Sequence, residues 1–286
     1  MNGQPVYKTL ISPRELVAHL EDERFVIIDV RHDLAQPETW GESQYRAAHI
    51  PGAAFAHIDR DLSAPKTGKN GRHPLPTQAA TSELFSRLGI DATRQVIAYD
   101  QANGMYASRV WWMLRWLGHD AVAVLDGGFD RWVKDGLPVT TAVPPARTAS
   151  FVAHPVACTV DAAMVQSNLE GGPLVLIDAR APERYRGEVE PLDPAPGHIP
   201  GALNRPFPTN LGPDGTFKPA PVLRSEFEAL LAGRDVSAVV HQCGSGVSAC
   251  HNVLAMEVAG LPCGRLYPGS WSEWCADPAR PIARGA

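Results

Sequence analysis

The chain lacks any apolar run long enough to cross a bilayer, so no membrane-spanning helix is expected. Residues 1–12 lack a basic patch followed by an apolar core, so no export signal is expected either. Cysteine is scarce. Cys158, Cys243, Cys250, Cys263 and Cys275 are five of 286 residues, all in the C-terminal half. No two are spaced as Cys-x-x-Cys and their number is odd, which argues against a disulfide framework and against a zinc site. A reducing, cytoplasmic setting is expected, with no metal and no cofactor implied. Basic excess is missing too: 26 Lys and Arg against 31 Asp and Glu leave a formal net charge of −5. The field of such a chain does not favour nucleic acid or an anionic membrane surface. What is present is globular in profile, 44% hydrophobic and 20% charged. The length admits one large domain or two ordinary ones.

A duplication decides between them. Val26-Ile27-Ile28-Asp29-Val30-Arg31 is followed by His49-Ile50-Pro51-Gly52-Ala53. Val175-Leu176-Ile177-Asp178-Ala179-Arg180 is followed by His198-Ile199-Pro200-Gly201-Ala202. Asp178 stands 149 positions after Asp29, and His198 stands 149 after His49. One long offset shared by two features predicts duplicated domains and not a solenoid. Each copy reads as α/β. Residues 25–28 and 174–177 are short apolar runs ending near a carboxylate, the pattern of buried strands. Second strands at Gln95–Tyr99 and 238–241 lead into helices at 107–117 and 248–259. Third strands at Val122–Leu125 and 265–267 run into glycine turns. This alternation predicts two domains, each a mostly parallel sheet flanked by helices. The first is expected over 1–143 and the second over 158–286, joined by a proline-containing linker at 144–157.

The chemistry concentrates in Val239-Val240-His241-Gln242-Cys243-Gly244-Ser245-Gly246-Val247-Ser248-Ala249. A strand ends, Cys243 follows at once, a loop with two glycines turns, and a helix begins. Cys243 is then at the carboxyl end of a parallel strand, where open α/β sheets place their ligands. The glycines let successive N–H groups point at one spot, and the helix N-terminus adds partial positive charge. The arrangement suits a cysteine nucleophile whose anion is held by backbone N–H groups of residues 244 to 248. A lone cysteine is more often a buried structural residue, and that plainer reading is kept for the other four. In the first copy Asp100 stands where Cys243 stands in the second. That copy therefore has the architecture without the nucleophile. A phosphatase loop of Cys, five residues and Arg does not fit, because Ala249 occupies the arginine's place.

The motifs together resemble the tandem-domain rhodanese superfamily over nearly the whole chain. They are the paired Asp-x-Arg and His-Ile-Pro-Gly-Ala segments, Leu125-Asp126-Gly127-Gly128-Phe129, the Cys243 loop, and Gly269-Ser270-Trp271-Ser272-Glu273-Trp274. The resemblance implies a sulfurtransferase. In it Cys243 accepts a sulfur atom as a persulfide from a small-molecule donor and passes it to a thiol, to cyanide or to a thioredoxin-like acceptor. Gly-Ser-Gly-Val after the cysteine resembles the branch that uses 3-mercaptopyruvate, whereas the thiosulfate branch tends to carry Arg and Lys there. A neutral loop agrees with a donor bearing one carboxylate better than with a dianion.

By the same resemblance, Arg184 in Arg184-Tyr185-Arg186-Gly187 anchors the donor as a bidentate fork. Gly244, Gly246, Val247 and Ser248 surround the donor's sulfur, Ser245 relays a proton, and His49 is its histidine partner. His198 repeats the position of His49, so a turn-capping role for His49 stands beside the catalytic one. Leu192 occupies the place where the branch usually carries a second arginine. Trp271 and Trp274 are expected as pocket wall or as core. A thiosulfate:cyanide sulfurtransferase and a persulfide carrier to a protein partner stay open as alternatives.

Overall fold

A computed structural model describes residues 6–285. Residues 1–5, part of the stretch read as carrying no export signal, lie outside the described residues, as does residue 286. The chain divides into two compact units. The first holds the residues up to Leu62, with Pro76–Ala157 and Asp214–Thr216; the second holds Ser63–Leu75, Cys158–Pro213 and the residues from Phe217 onward. The segment Ser63–Leu75, placed in the first domain by position alone, thus belongs to the second unit. Its backbone is tied there: Arg72 donates its N–H to Ser272 Oγ at 3.0 Å. Residues 144–157 group with the first unit, where the N–H groups of Ala149 and Phe151 bond the carbonyl and hydroxyl of Ser86 at 2.9 and 3.0 Å.

The first unit is built on β1 (Leu10–Ile11), β2 (Phe25–Asp29), β3 (Ala54–Phe55), β4 (Gln95–Tyr99) and β5 (Val122–Leu125). All pair in parallel in the order β1-β5-β4-β2-β3. The central strands are buried at every position, which is why they read as unbroken apolar runs: helices cover both faces of a parallel sheet. Helix Ala107–Trp116 buries nine of its ten residues and links β4 to β5.

The second unit is built on β6 (Val175–Asp178), β7 (Leu203–Asn204), β8 (Val239–Gln242) and β9 (Arg265–Leu266), all parallel in the order β7-β6-β8-β9. Its core gathers Val160, Val165, Leu176, Val240, Tyr267 and Trp271. Helix Ser248–Val258 links β8 to β9 and is buried from Ala249 to Met256. Its buried polar side chains are satisfied: Asn210 Nδ2 lies 3.1 Å from His251 Nδ1 and donates to Asn252 Oδ1 at 2.7 Å. The register ties the two copies together. Asp29 pairs with Tyr99 and Asp178 with Gln242, so the next residues, Asp100 and Cys243, hold equivalent places.

Candidate active site

Cys243 follows the last residue of β8 and is 1% exposed. Gly246 donates its N–H to Cys243 Sγ at 3.1 Å. The turn that aims this donor needs Gly246 at φ 78°, where a Cβ would also run into the Pro268 carbonyl. Helix Ser248–Val258 then begins, so Val247 and Ser248 form its positive end beside the loop. A second segment clamps the nucleophile from the other side. Cys243 donates its N–H to Ser270 Oγ at 3.1 Å, and its carbonyl accepts from Trp271 N–H at 2.9 Å. Ser272 N–H reaches the Gly244 carbonyl at 2.9 Å. Ser270 has φ 54°, one of two positive values at non-glycine residues among the described residues. Such strain persists only where surrounding contacts over-determine it, and it gathers at functional sites.

The first unit shows what a loop of this shape binds. The Asp100 carboxylate accepts N–H bonds from Ala102, Gly104, Tyr106 and Ala107 at 3.2, 2.9, 2.8 and 3.3 Å. Burial pushes this carboxyl above its usual range, and the four N–H groups oppose the shift. One copy of the loop cradles its own carboxylate. The other turns an N–H onto a sulfur atom.

Two guanidinium groups stand over the residue after the nucleophile. A Cβ on Gly244 would lie 2.7 Å from Arg72 Nη2 and 3.4 Å from Arg184 Nη1, so glycine is what lets both forks come close. Arg184 lies in the single turn of helix Pro182–Tyr185 and gives Nη2 to Glu190 Oε1 at 2.6 Å and to Asp193 Oδ2 at 3.1 Å. Arg72 bonds the other oxygen of Asp193. The carboxylates of Glu190 and Asp193 are almost wholly buried and hold both forks in place. The structure brings Arg184 to the loop. Arg72 was missed. Leu192 is exposed, and the second fork arrives from Ser63–Leu75 instead. Arg186 turns to Glu188 at 2.7 Å.

Ser245 Oγ lies 2.7 Å from His73 Nδ1. His49 does not fill this place. It is buried in the first unit, with Nδ1 on the Tyr45 carbonyl at 2.7 Å and Nε2 3.2 Å from the Ala142 carbonyl. Its ring stacks on Tyr45 at 4.0 Å. His198 repeats the arrangement, with Nδ1 on the Tyr185 carbonyl at 2.8 Å and its ring stacked on Tyr185 at 3.8 Å. The duplicated histidine therefore closes a turn in each copy, and the histidine that meets Ser245 is His73. A signal for it was present. Lys66, Lys69, Arg72 and His73 fall in one short run with Gly68 and Gly71, in a chain that is acidic overall.

The remaining candidates are structural. Arg31 and Arg180 grip Asp29 and Asp178 in both units and reach the carbonyls of Ala48 and Gly197 at 2.6 and 2.7 Å. Trp271 and Trp274 are fully buried, their indole N–H groups on the Ala195 and Pro281 carbonyls. None of the five cysteines is in a disulfide. Burial, with Cys263 adding to it, pushes the Cys158 thiol up to about 11, and burial with Asp193 does the same to Cys275. Cys250 points its S–H at the Gly246 carbonyl, 3.3 Å away.

Residues 12–135 and 161–277 each match the family model of the rhodanese-like domain. The chain belongs to the rhodanese family. This rhodanese is 47% identical to a Pseudomonas aeruginosa protein named a probable 3-mercaptopyruvate sulfurtransferase, over 96% of this chain and 98% of that one. It is 38% identical to SseB of Mycobacterium tuberculosis, named a putative thiosulfate sulfurtransferase, over 97% of this chain and 98% of that one. Among solved structures, the rhodanese fold of the Escherichia coli 3-mercaptopyruvate sulfotransferase SseA superposes with a TM-score of 0.79 at 32% identity. That match covers 93% of this chain and all of the other. The family matches fall one in each half of the chain, as the duplication requires.

Proposed function

We propose that this rhodanese is a sulfurtransferase that takes sulfur from 3-mercaptopyruvate through a persulfide on Cys243. Cys243, as thiolate, attacks the donor's sulfur. The carbon–sulfur bond breaks, its electron pair leaves as the enolate of pyruvate, and the donor's thiol proton stays on the new persulfide. The enolate needs a proton, which passes from His73 through Ser245. An acceptor thiol or cyanide then attacks the outer sulfur; the S–S bond breaks with its electron pair on Cys243, and the proton released reloads His73 through Ser245. Gly246 N–H holds the Cys243 thiolate before attack and again after the outer sulfur has left. Arg72 and Arg184 receive the donor's carboxylate, since planar forks match it. A thioredoxin-like protein dithiol is a fitting acceptor. Five cysteines outside any disulfide suit a reducing compartment such as the cytoplasm, and no helix is long and apolar enough to cross a membrane among the described residues.

The 2.7 Å contact between His73 and Ser245 carries the choice of donor. Sulfite leaving from thiosulfate takes its charge with it and needs no proton, whereas the pyruvate enolate does. Thiosulfate is the second reading, because two guanidinium groups over Gly244 also suit a dianion. Steady-state kinetics with each donor, cyanide as acceptor, separates them. Cys243→Ser is expected to abolish transfer from both donors. Ser245→Ala is expected to lower kcat/KM for mercaptopyruvate by about 100-fold, the scale of general acid catalysis, and to spare thiosulfate. A higher kcat/KM for thiosulfate in the unaltered protein would overturn the donor assignment.

A further inference from the structure

The first unit carries a cavity that no residue of the Cys243 loop lines, and whose chemistry the sulfur reaction does not use. Its volume is about 400 Å³, within the range of small-molecule sites. The floor is apolar, formed by Val26 and Ile27 of β2, Phe55 of β3 and Tyr45 of helix Trp40–Ala47. Val143, Pro144 and Pro145 close one side. The rim is cationic. Arg46, Arg60, Arg87 and Arg147 line it, and Glu42 is its one acidic lining residue. In front of Gly52, a Cβ would meet nothing within 4 Å, so the mouth is open there.

The rim is not neutralised from within. Glu42 accepts Arg46 on one carboxylate oxygen at 2.8 Å and Arg60 on the other at 2.9 Å, so it is shared between two cations. Arg87 reaches Asp61 only at 3.4 Å, and Arg147 reaches the Phe25 carbonyl only at 3.4 Å. Each guanidinium has five N–H donors, and none of the four spends more than two. Two carboxylates against four guanidiniums leave excess positive charge and many spare donors at one opening. Exposed charges of this kind are screened by salt and bind a bare ion weakly. An anion attached to an apolar body would gain the floor as well.

We propose that this cavity binds a small organic anion. Its acid group lies among the rim arginines, and its aromatic or hydrocarbon body sits on Phe55 and Tyr45. Isothermal titration of the full chain with 2-naphthoate, 1-naphthyl phosphate, neutral 2-naphthol and inorganic phosphate tests this. At least one of the two naphthyl anions is expected to bind at least tenfold more tightly than naphthol or phosphate. Tighter binding of the carboxylate or of the phosphate ester supports the site and names its acid group. The double variant Arg60→Gln/Arg87→Gln is expected to weaken that binding at least tenfold and to leave sulfur transfer within twofold of the unaltered rate. It keeps the Glu42–Arg46 pair and changes only exposed side chains. Arg184→Gln is expected to leave naphthyl anion binding unchanged. Loss of binding in Arg184→Gln but not in the double variant would overturn the proposal by placing the anion beside Cys243. So would the absence of binding at millimolar ligand, or equal affinity for naphthol and both anions.

Discussion

Both backbone polar groups of Cys243 are committed to the 270–271 turn, the N–H to Ser270 Oγ and the carbonyl to Trp271 N–H. Ser270 passes its own proton on to the Tyr267 carbonyl at 2.9 Å. One hydroxyl thus accepts and donates in a fully buried place, on a backbone held at φ 54°. Removing it leaves the Cys243 N–H unpartnered, a cost of about 1–3 kcal/mol. Part of that cost falls on the nucleophile's position. Ser270→Ala is therefore expected to lower kcat/KM at least tenfold and to lower Tm by a few degrees. Ser270→Gly loses the same bonds but relieves the left-handed strain. It should melt closer to the unaltered protein and yet be as slow as the alanine variant. Thermal melts and steady-state kinetics on the pair check this. Unimpaired rates in Ser270→Gly would show that the hydroxyl does not position Cys243.

Loops and strands carried most of what was legible beforehand, for a local reason. A buried parallel strand is mostly apolar, so β2, β4, β6 and β8 show themselves in short runs of Val, Ile, Leu and Ala even though polar residues such as Asp29, Gln95 and His241 interrupt or end them. The Cys243 loop follows its strand directly, and Ser245 and Gly246 come with it. Arg184 was singled out only through the resemblance carried by Arg184-Tyr185-Arg186-Gly187, not through any helix read there. Arg72 and His73 were not singled out, because Ser63–Leu75 has no periodic pattern and joins the Cys243 loop across 172 positions of chain, from His73 to Ser245. His49 misled because two histidines at one repeat position share a turn-closing role, and such a shared role is what duplication preserves. The loop at Asp100 makes the opposite use of the same inheritance. Asp100→Ala leaves four buried N–H groups without an acceptor, and a loss of about 3 kcal/mol or more is expected. Asp100→Asn keeps one acceptor oxygen and drops a charge that burial disfavours, so its loss should be smaller. Urea denaturation read on the first unit ranks the two. Equal stability of Asp100→Ala and the unaltered protein would show that the cradle does not need its anion.

The whole chain holds two units with separate cores, and its response to acid is set in part by one buried ring. His241 lies fully buried in β8, Nε2 against Met256 Sδ at 3.1 Å and Nδ1 without a hydrogen-bond partner. Burial, with the Arg205 charge adding to it, pushes the imidazole down to about 3. In the unfolded chain it titrates near its ordinary value of about 6.5. Between these limits the unfolded state binds a proton that the folded state refuses. Stability is therefore unaffected by His241 above about pH 6.5, and falls by about 1.4 kcal/mol for each unit of pH below it until about pH 3. Acidic groups held low in the fold, such as Asp22 at about 2, act in the same direction. They are common to any His241 variant and cancel in the difference. His241→Leu, of similar volume, removes both the unpartnered nitrogen and the proton uptake. Its unfolding free energy relative to the unaltered protein is expected to rise by about 3 kcal/mol between pH 6.5 and pH 4. Denaturant titrations of the second unit's transition across that range check the slope. Parallel curves for the two proteins would mean that His241 takes up its proton as readily in the fold as outside it.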